Sequence, residues 1–192
     1  NGKKLDLKAA QEIFGYFDKS YLLDLVFELL KGNEKKVIEL YKNISLDYFD
    51  LGEIEKAIEQ ASKILKLDSK NSWAISQQIT YHIKLNNWEK ATEYLETFHR
   101  VNKVSNSHKL GLFVIQQGRI LLNENNFNAA RRKFEKALAI DTTLTAAYYF
   151  IAESHSKESD KYFHRAEKID DKNSEEYKKL FDQALVSLSN AI

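Results

Sequence analysis

A short pattern recurs three times along the chain at a nearly fixed spacing. Each copy holds two turn residues, a large apolar residue, two polar or small residues and an alanine, which is Ala57, Ala91 or Ala130. Ala57 and Ala91 are 34 residues apart, whereas Ala91 and Ala130 are 39 apart, so we infer an insertion within 101–108. A repeat of this length is one supersecondary unit that must stack on its neighbours to bury its apolar face. The repeat therefore constrains the fold more than any other feature.

The hydrophobic periodicity predicts an all-α fold. Apolar residues recur at three- and four-residue spacing, and sustained strict alternation is absent. With no proline and only six glycines, the chain has few of the residues that punctuate strands and turns. The pattern predicts about ten or eleven helices joined by short loops. The predicted breaks are 15–18, 32–33, 51–52, 68–71, 86–87, 102–107, 125–126, 141–142, 156–159 and 170–173.

Three residues carry specific signals for helix ends. Gly32 suits the left-handed position that follows a helix. Asn86 and Asn173 are each followed three residues later by a glutamate, which is the spacing of a capping box. We therefore predict that both asparagines are N-caps.

Over roughly residues 34–170 the repeat resembles the tetratricopeptide repeat (TPR) family. Ala130, Phe134 and Ala137 match the face of the second helix of a TPR unit most closely. The resemblance implies antiparallel helix pairs stacked in one domain as a right-handed superhelix. The implied division is residues 1–33 as N-terminal helices (a cap or divergent repeat), repeats at 34–70, 71–104, 105–141 and 142–170, and a C-terminal capping helix in 171–192. The last repeat lacks about five residues at its internal turn by comparison with the family.

The resemblance also implies a concave groove lined by the first helix of each pair. Phe49, Trp73, Ile115 and Tyr149 are the expected apolar anchors for a peptide or a partner helix. An alternative interpretation is that some of these side chains contact the adjacent helix, or that a terminal helix occupies the groove. The whole set placed in the groove is Lys42, Phe49, Trp73, Ser76, Thr80, Ile83, Leu112, Ile115, Arg119, Tyr149 and Glu153.

Several kinds of chemistry find no support in the sequence. Without cysteine there is neither a disulfide framework nor a Cys-based zinc site, and no Gly-rich phosphate loop or nucleophile elbow is present. His155, Glu158, Asp160 and His164 come nearest to a metal-ligand set, but we interpret them, like the basic run 131–133, as solvent-facing. We expect no catalytic residue, no metal and no cofactor, and hence no enzyme.

The charge balance and apolar runs bear on partners and location. A formal net charge of +1 gives no general electrostatic attraction for nucleic acid. No run is long enough for a membrane span, so we expect no membrane contact by this segment, and without a signal peptide a cytoplasmic location is favoured. The chain begins with Asn1 rather than Met, which suggests an excised domain.

These observations predict a non-enzymatic adaptor or scaffold that binds a protein or peptide. The Lys, Asn and Ile usage indicates a bacterial source. An alternative is a helical accessory or regulatory domain of a larger assembly. A DNA-replication clamp loader is one such assembly, since residues 13–33 resemble a small helical domain of bacterial clamp-loader subunits, and a membrane-anchored bacterial regulator is another. Within the binding class, the alternative is a secretion-type chaperone that encloses a partner segment. The sequence leaves the partner's identity and the oligomeric state open.

Overall fold

The computed structural model describes residues 19–191, with side chains from residue 24 onward. Within this range there are nine helices and no strand, so the predicted all-α fold is confirmed. Predictions for residues 1–18, including the break at 15–18, lie outside the described residues. The helices are α1 (Lys19–Leu30), α2 (Glu34–Asp50), α3 (Ile54–Leu67), α4 (Ser72–Lys84), α5 (Trp88–Asn102), α6 (Ser107–Asn123), α7 (Phe127–Ile140), α8 (Thr145–Ala166) and α9 (Glu175–Ser189).

Four of the turns between helices are built alike. A residue with positive φ ends one helix, and the next residue is the N-cap of the following helix. Glycine or asparagine fills the left-handed position, since these residues tolerate it best. The four residues are Gly32, Gly52, Asn86 and Asn125. With φ +68°, Gly32 confirms the predicted helix end.

Both predicted N-caps are wrong by one residue. Asn86 takes the left-handed conformation, and Asn87 caps α5 by accepting a hydrogen bond from the backbone N–H of Lys90. At α9 the cap is Ser174, not Asn173. In each case a neighbouring residue with an equally good capping oxygen follows, so the spacing to a glutamate did not decide between them.

The chain divides into two compact units, with the boundary between Leu85 and Asn86. This boundary falls inside the predicted second repeat, residues 71–104. The predicted division of 34–170 into four repeats, and its stacking as a single superhelix, stay predictions.

In unit 1, consecutive helices from α1 to α4 pack on one another. The fully buried Ala57 lets α3 approach its neighbours closely, and its carbonyl accepts a 3.0 Å hydrogen bond from Ser45 Oγ on α2. The Tyr81 hydroxyl on α4 lies 3.0 Å from the same serine oxygen and donates to it. Burial raises the pKa of Tyr81, so the phenol stays protonated and able to donate. One polar cluster therefore joins three helices in the core.

In unit 2, consecutive helices from α5 to α9 pack on one another, and α6 also contacts α8. The main core cluster lies between α6, α7 and α8, where Gly118 leaves room for the Phe134 ring. Gln117 adds a polar connection between three helices. Its amide nitrogen donates to Thr92 Oγ1 on α5 at 2.8 Å, while its amide oxygen accepts from Lys133 Nζ on α7 at 2.7 Å.

The break predicted at 156–159 is wrong, because α8 continues without interruption to Ala166. The stretch contains neither glycine nor proline, so nothing in it forces the helix to end. Ser159 is instead buried and donates a 2.8 Å hydrogen bond to the carbonyl of Ala184 on α9. The helix that pairs with α8 is therefore α9, which buries Leu180 and Ala184 against it.

None of the helices described by the structure combines the length and apolar character needed to cross a membrane.

Candidate partner-binding faces

Four of the predicted groove residues of unit 2 share one surface, which we call the unit-2 face: Leu112, Arg119, Tyr149 and Glu153. Leu112 and Arg119 are seven residues apart on α6, and Tyr149 and Glu153 are four apart on α8. Such spacings place side chains on the same side of a helix. Arg119 on α6 and Tyr149 on α8 both contact the ring of Phe150, which brings the two helices' rows together at this point.

The unit-2 face is organised around a ring that the sequence reasoning missed, that of Phe150. The Arg119 guanidinium lies 5.4 Å from the centre of this ring, and the Tyr149 ring meets it edge-on at 5.3 Å. Phe150 itself stacks on the buried Phe134 at 5.3 Å, so it is fixed to the core. The run of three aromatic residues at 148–150 was the available signal for its role.

Tyr149 is the most prominent side chain of this surface, with 64% of it exposed. Leu112, on α6, is 40% exposed. Arg119 and Glu153 carry opposite charges and are each engaged locally: Arg119 donates to Gln116 Oε1 at 3.0 Å, and Glu153 pairs with Lys157 Nζ at 2.8 Å. The face therefore presents an aromatic and an aliphatic side chain bordered by charges that are already held in place.

Ile115, predicted as an anchor, lies in the core cluster with 2% exposure. It offers no surface to a partner. One turn of α6 carries both buried and exposed residues, and Ile115 is one of the buried ones.

In unit 1 the structure places Lys42, Trp73, Ser76, Thr80 and Ile83 along α2 and α4, and we call this set the unit-1 face. The Lys42 ammonium lies 5.4 Å from the centre of the Trp73 ring, a cation–π distance. Thr80 donates a hydrogen bond to the carbonyl of Ser76, and Ile83 is half-buried. Lys42 and Trp73 are thus brought together across two helices.

Phe49, the remaining predicted anchor of unit 1, has a packing role in this structure. Its ring stacks on Tyr81 at 5.0 Å, and it packs against the cluster that contains Ala57. It is only half-buried, so an edge remains accessible. The alternative interpretation of the groove was that some anchor side chains contact a neighbouring helix, and Phe49 makes such a contact with Tyr81 on α4.

The polar residues interpreted as solvent-facing include a buried ion pair. Arg131 on α7 and Glu158 on α8 are joined at 2.9 Å, with side chains only 12% and 15% exposed. Arg131 also donates to Asn128 and to the buried Ser154. The solvated interpretation is therefore wrong for these two residues, because the pairing depends on how two successive helices pack on each other. Among the described side chains, no three His, Asp or Glu residues come together as a metal site would require.

His155 lies next to this ion pair on α8. Burial and the charge of Arg131 lower its pKa, outweighing the opposing effect of Glu158, so the ring is neutral near pH 7. Its Nδ1 atom is buried and has no hydrogen-bond partner in the described part of the chain.

Comparison with known proteins gives structural similarities alone. No family model matches the sequence, and no curated protein matches it either. A crystal structure of MamA is 18% identical, with a TM-score of 0.39, over 98% of this chain and 94% of that one. YrrB, described as a TPR protein with an unusual peptide-binding site, is 18% identical with a TM-score of 0.36, over 88% and 90% of the two chains. PilF of Pseudomonas aeruginosa is 17% identical with a TM-score of 0.39, over 86% and 75%. Each of these likenesses to a solved structure extends over most of this chain.

Proposed function

We propose that the chain is a non-enzymatic protein-interaction module, an adaptor or scaffold, that binds a peptide or a partner helix on the unit-1 and unit-2 faces. Tyr149 on the unit-2 face and Trp73 on the unit-1 face are the central contacts. Arg119 borders the first through the ring of Phe150, Lys42 borders the second, and Leu112 lies on the same side of α6 as Arg119.

The exposure of Tyr149 on a rigid base is the observation that carries this proposal. Burying a large exposed aromatic side chain in an interface lowers the free energy of the complex. Tyrosine, tryptophan and arginine contribute most of the binding energy in protein interfaces. Phe150 holds both Tyr149 and Arg119 against the core. A partner would therefore meet side chains whose positions are largely fixed, which lowers the entropy cost of association.

The chain offers a matched control for this idea. Tyr148 is the same residue type, is 57% exposed and adjoins Tyr149 in sequence, yet it lies about 100° around the helix from it. If exposed tyrosines bind proteins non-specifically, substitution at 148 and at 149 should reduce binding equally. If Tyr149 belongs to a specific binding face, only substitution at 149 should reduce binding.

Affinity capture from lysate of the source cells, quantified by mass spectrometry, tests the proposal. The unmodified chain is compared with Trp73→Ala, Tyr149→Ala and Tyr148→Ala. We expect one or more proteins to be retained by the unmodified chain and by Tyr148→Ala, and lost with Trp73→Ala or Tyr149→Ala. Equal retention by all four chains would contradict it.

A further inference from the structure

A large cleft lies in unit 2 on the side of α8 that faces away from Tyr149. Its volume is about 1060 Å³, and it is bounded by the start of α7, the second half of α8 and the length of α9. Tyr149 and the cleft residue Glu158 are nine residues apart, which is two and a half turns, so they lie on opposite sides of α8. The cleft is therefore separate from the unit-2 face.

The size and shape of the cleft fit a stretch of polypeptide. Pockets for small molecules usually have volumes of about 300–1,000 Å³, and this one exceeds that range. Residues of α9 line it from Glu175 to Asn190. At a rise of 1.5 Å per residue this wall is about 22 Å long, which matches an extended chain of about six or seven residues.

The floor of the cleft is rigid and nearly neutral. Arg131 is held by Glu158, Asn128 and Ser154, so its charge is compensated and its position is fixed. A free anion would have to compete with Glu158 for this guanidinium, which argues against a phosphate-type ligand. His155 adds a ring nitrogen that lacks a hydrogen-bond partner in the described part of the chain.

The walls supply two kinds of polar group. The carboxamides of Gln183 and Asn190 each offer a donor and an acceptor, which is the complement of a peptide group, and Asn128, whose oxygen accepts from Arg131, offers its amide donors. Glu176 and Asp182 on α9 also line the cleft, and the ion pairs of the described residues include neither of them. Of the two lysines on this wall, Lys178 pairs with Glu175 at 3.7 Å, which leaves Lys179 as the remaining basic residue. Together with Glu176 and Asp182 it leaves one negative charge in excess on the wall.

We propose that this cleft is a second binding site, which takes an extended basic peptide segment of about six or seven residues. The wall carboxamides pair with its backbone, and Glu176 and Asp182 attract its lysine or arginine side chains. The site goes beyond the proposed function, because it uses a different surface of unit 2 and a different chemistry from the aromatic face.

The test is selection of a phage-displayed library of seven-residue peptides on the whole chain, followed by affinity measurement of the selected peptides by fluorescence anisotropy. We expect enrichment of lysine and arginine. Asp182→Asn and Gln183→Ala should each weaken binding about two- to fivefold, the range of single exposed charges and hydrogen bonds. Lys179→Glu, which removes the opposing charge, should strengthen binding by a similar factor. Circular dichroism melts show that each variant is folded.

Two other outcomes overturn the proposal. One is a selection that yields no basic consensus. The other is a set of peptides whose affinity is unchanged by Asp182→Asn, Gln183→Ala and Lys179→Glu. Tyr149→Ala distinguishes the two surfaces: selected peptides that lose affinity with this variant alone bind the unit-2 face, which supports the proposed function and rejects the cleft.

Discussion

At the scale of single residues, Gly118 shows how closely the helices of unit 2 approach each other. A Cβ atom added at Gly118 would overlap the ring of Phe134, which is itself fully buried between α6 and α8. The ring cannot move aside without disturbing Phe150, which stacks on it. The absence of a side chain at 118 is therefore a packing requirement.

We expect Gly118→Ala to destabilise the chain by about 1–3 kcal/mol, the usual cost of overfilling a core. Gly111→Ala is the matched control, since its added Cβ would meet the end of the flexible Leu144 side chain and should cost less. Thermal unfolding followed by circular dichroism measures both, at about 2–4 °C for each kcal/mol in a chain of this size. Equal melting temperatures for the two variants would contradict this account of Gly118.

Asp141, at the end of α7, is a second residue with a definite energetic role. Its carboxylate accepts hydrogen bonds from the hydroxyl and the backbone N–H of Thr143, and His108 Nδ1 lies 2.8 Å away. These bonds, the Thr143 hydroxyl first, lower the pKa of Asp141 below its ordinary value of 3.8. A lowered pKa means that the folded chain prefers the ionised form, so the stabilisation is complete above that ordinary value and is lost as the pH falls below it.

We therefore expect Asp141→Asn to lower the melting temperature at pH 7, and the difference from the unmodified chain to shrink as the pH falls from about 4 to about 2. The exposed Asp160 on α8 provides a control for the loss of one surface charge, because Asp160→Asn removes a carboxylate and leaves the hydrogen bonds of Asp141 in place. Melting temperatures at a series of pH values test this. A difference that stays constant over the whole range would rule out the role of the ionised carboxylate.

At the scale of helices, the Arg131–Glu158 pair fastens α7 to α8. Removing one partner of a pair with so little exposure leaves the other charge without compensation, whereas removing both leaves apolar side chains that can pack. We expect Arg131→Met to cost about 2–3 kcal/mol, and the double variant Arg131→Met/Glu158→Leu to be more stable than Arg131→Met alone. Urea unfolding of the single and double variants measures the coupling. Purely additive effects would show that the pair does not fasten the helices.

The helices themselves could be predicted from the sequence, because periodicity and turn residues are local signals. The positions of Gly32, Gly52 and the Asn-Asn turns mark helix ends wherever a left-handed residue is needed. The continuity of α8 could not be predicted, since the repeat favours a turn at 156–159 while the residues there tolerate a helix equally well. The pairing of α8 with α9, including the hydrogen bond from Ser159 to the carbonyl of Ala184, stabilises the continuous helix.

The candidate site was less predictable than the helices. The repeat register located Lys42, Trp73 and Tyr149 on helix surfaces, and the structure places Trp73 beside Lys42 and Tyr149 beside Arg119 and Phe150. It could not distinguish Ile115, which faces the core, from Leu112 one turn earlier, which faces outward. That distinction depends on which side of α6 its neighbouring helices cover, which is a tertiary effect. The burial of Arg131 likewise depends on Glu158 from another helix.

At the scale of the whole molecule, two compact units each present a face with an aromatic side chain next to a cationic one. The formal net charge of +1 arises from 29 basic and 28 acidic residues, so neither strong attraction nor strong repulsion of a charged partner is built in. Recognition is therefore expected to depend on the local aromatic contacts. This is the central claim of the proposed function.

The most direct test of this claim is the dissociation constant of a captured partner, measured by isothermal titration for the unmodified chain and for single tyrosine variants. If Tyr149 is a central contact, Tyr149→Ala should weaken binding at least about tenfold, or 1.4 kcal/mol, while Tyr148→Ala stays within about twofold. Both variants change a tyrosine that is mostly exposed, so folding should be unaffected in each. Equal dissociation constants for Tyr149→Ala and Tyr148→Ala would contradict the claim.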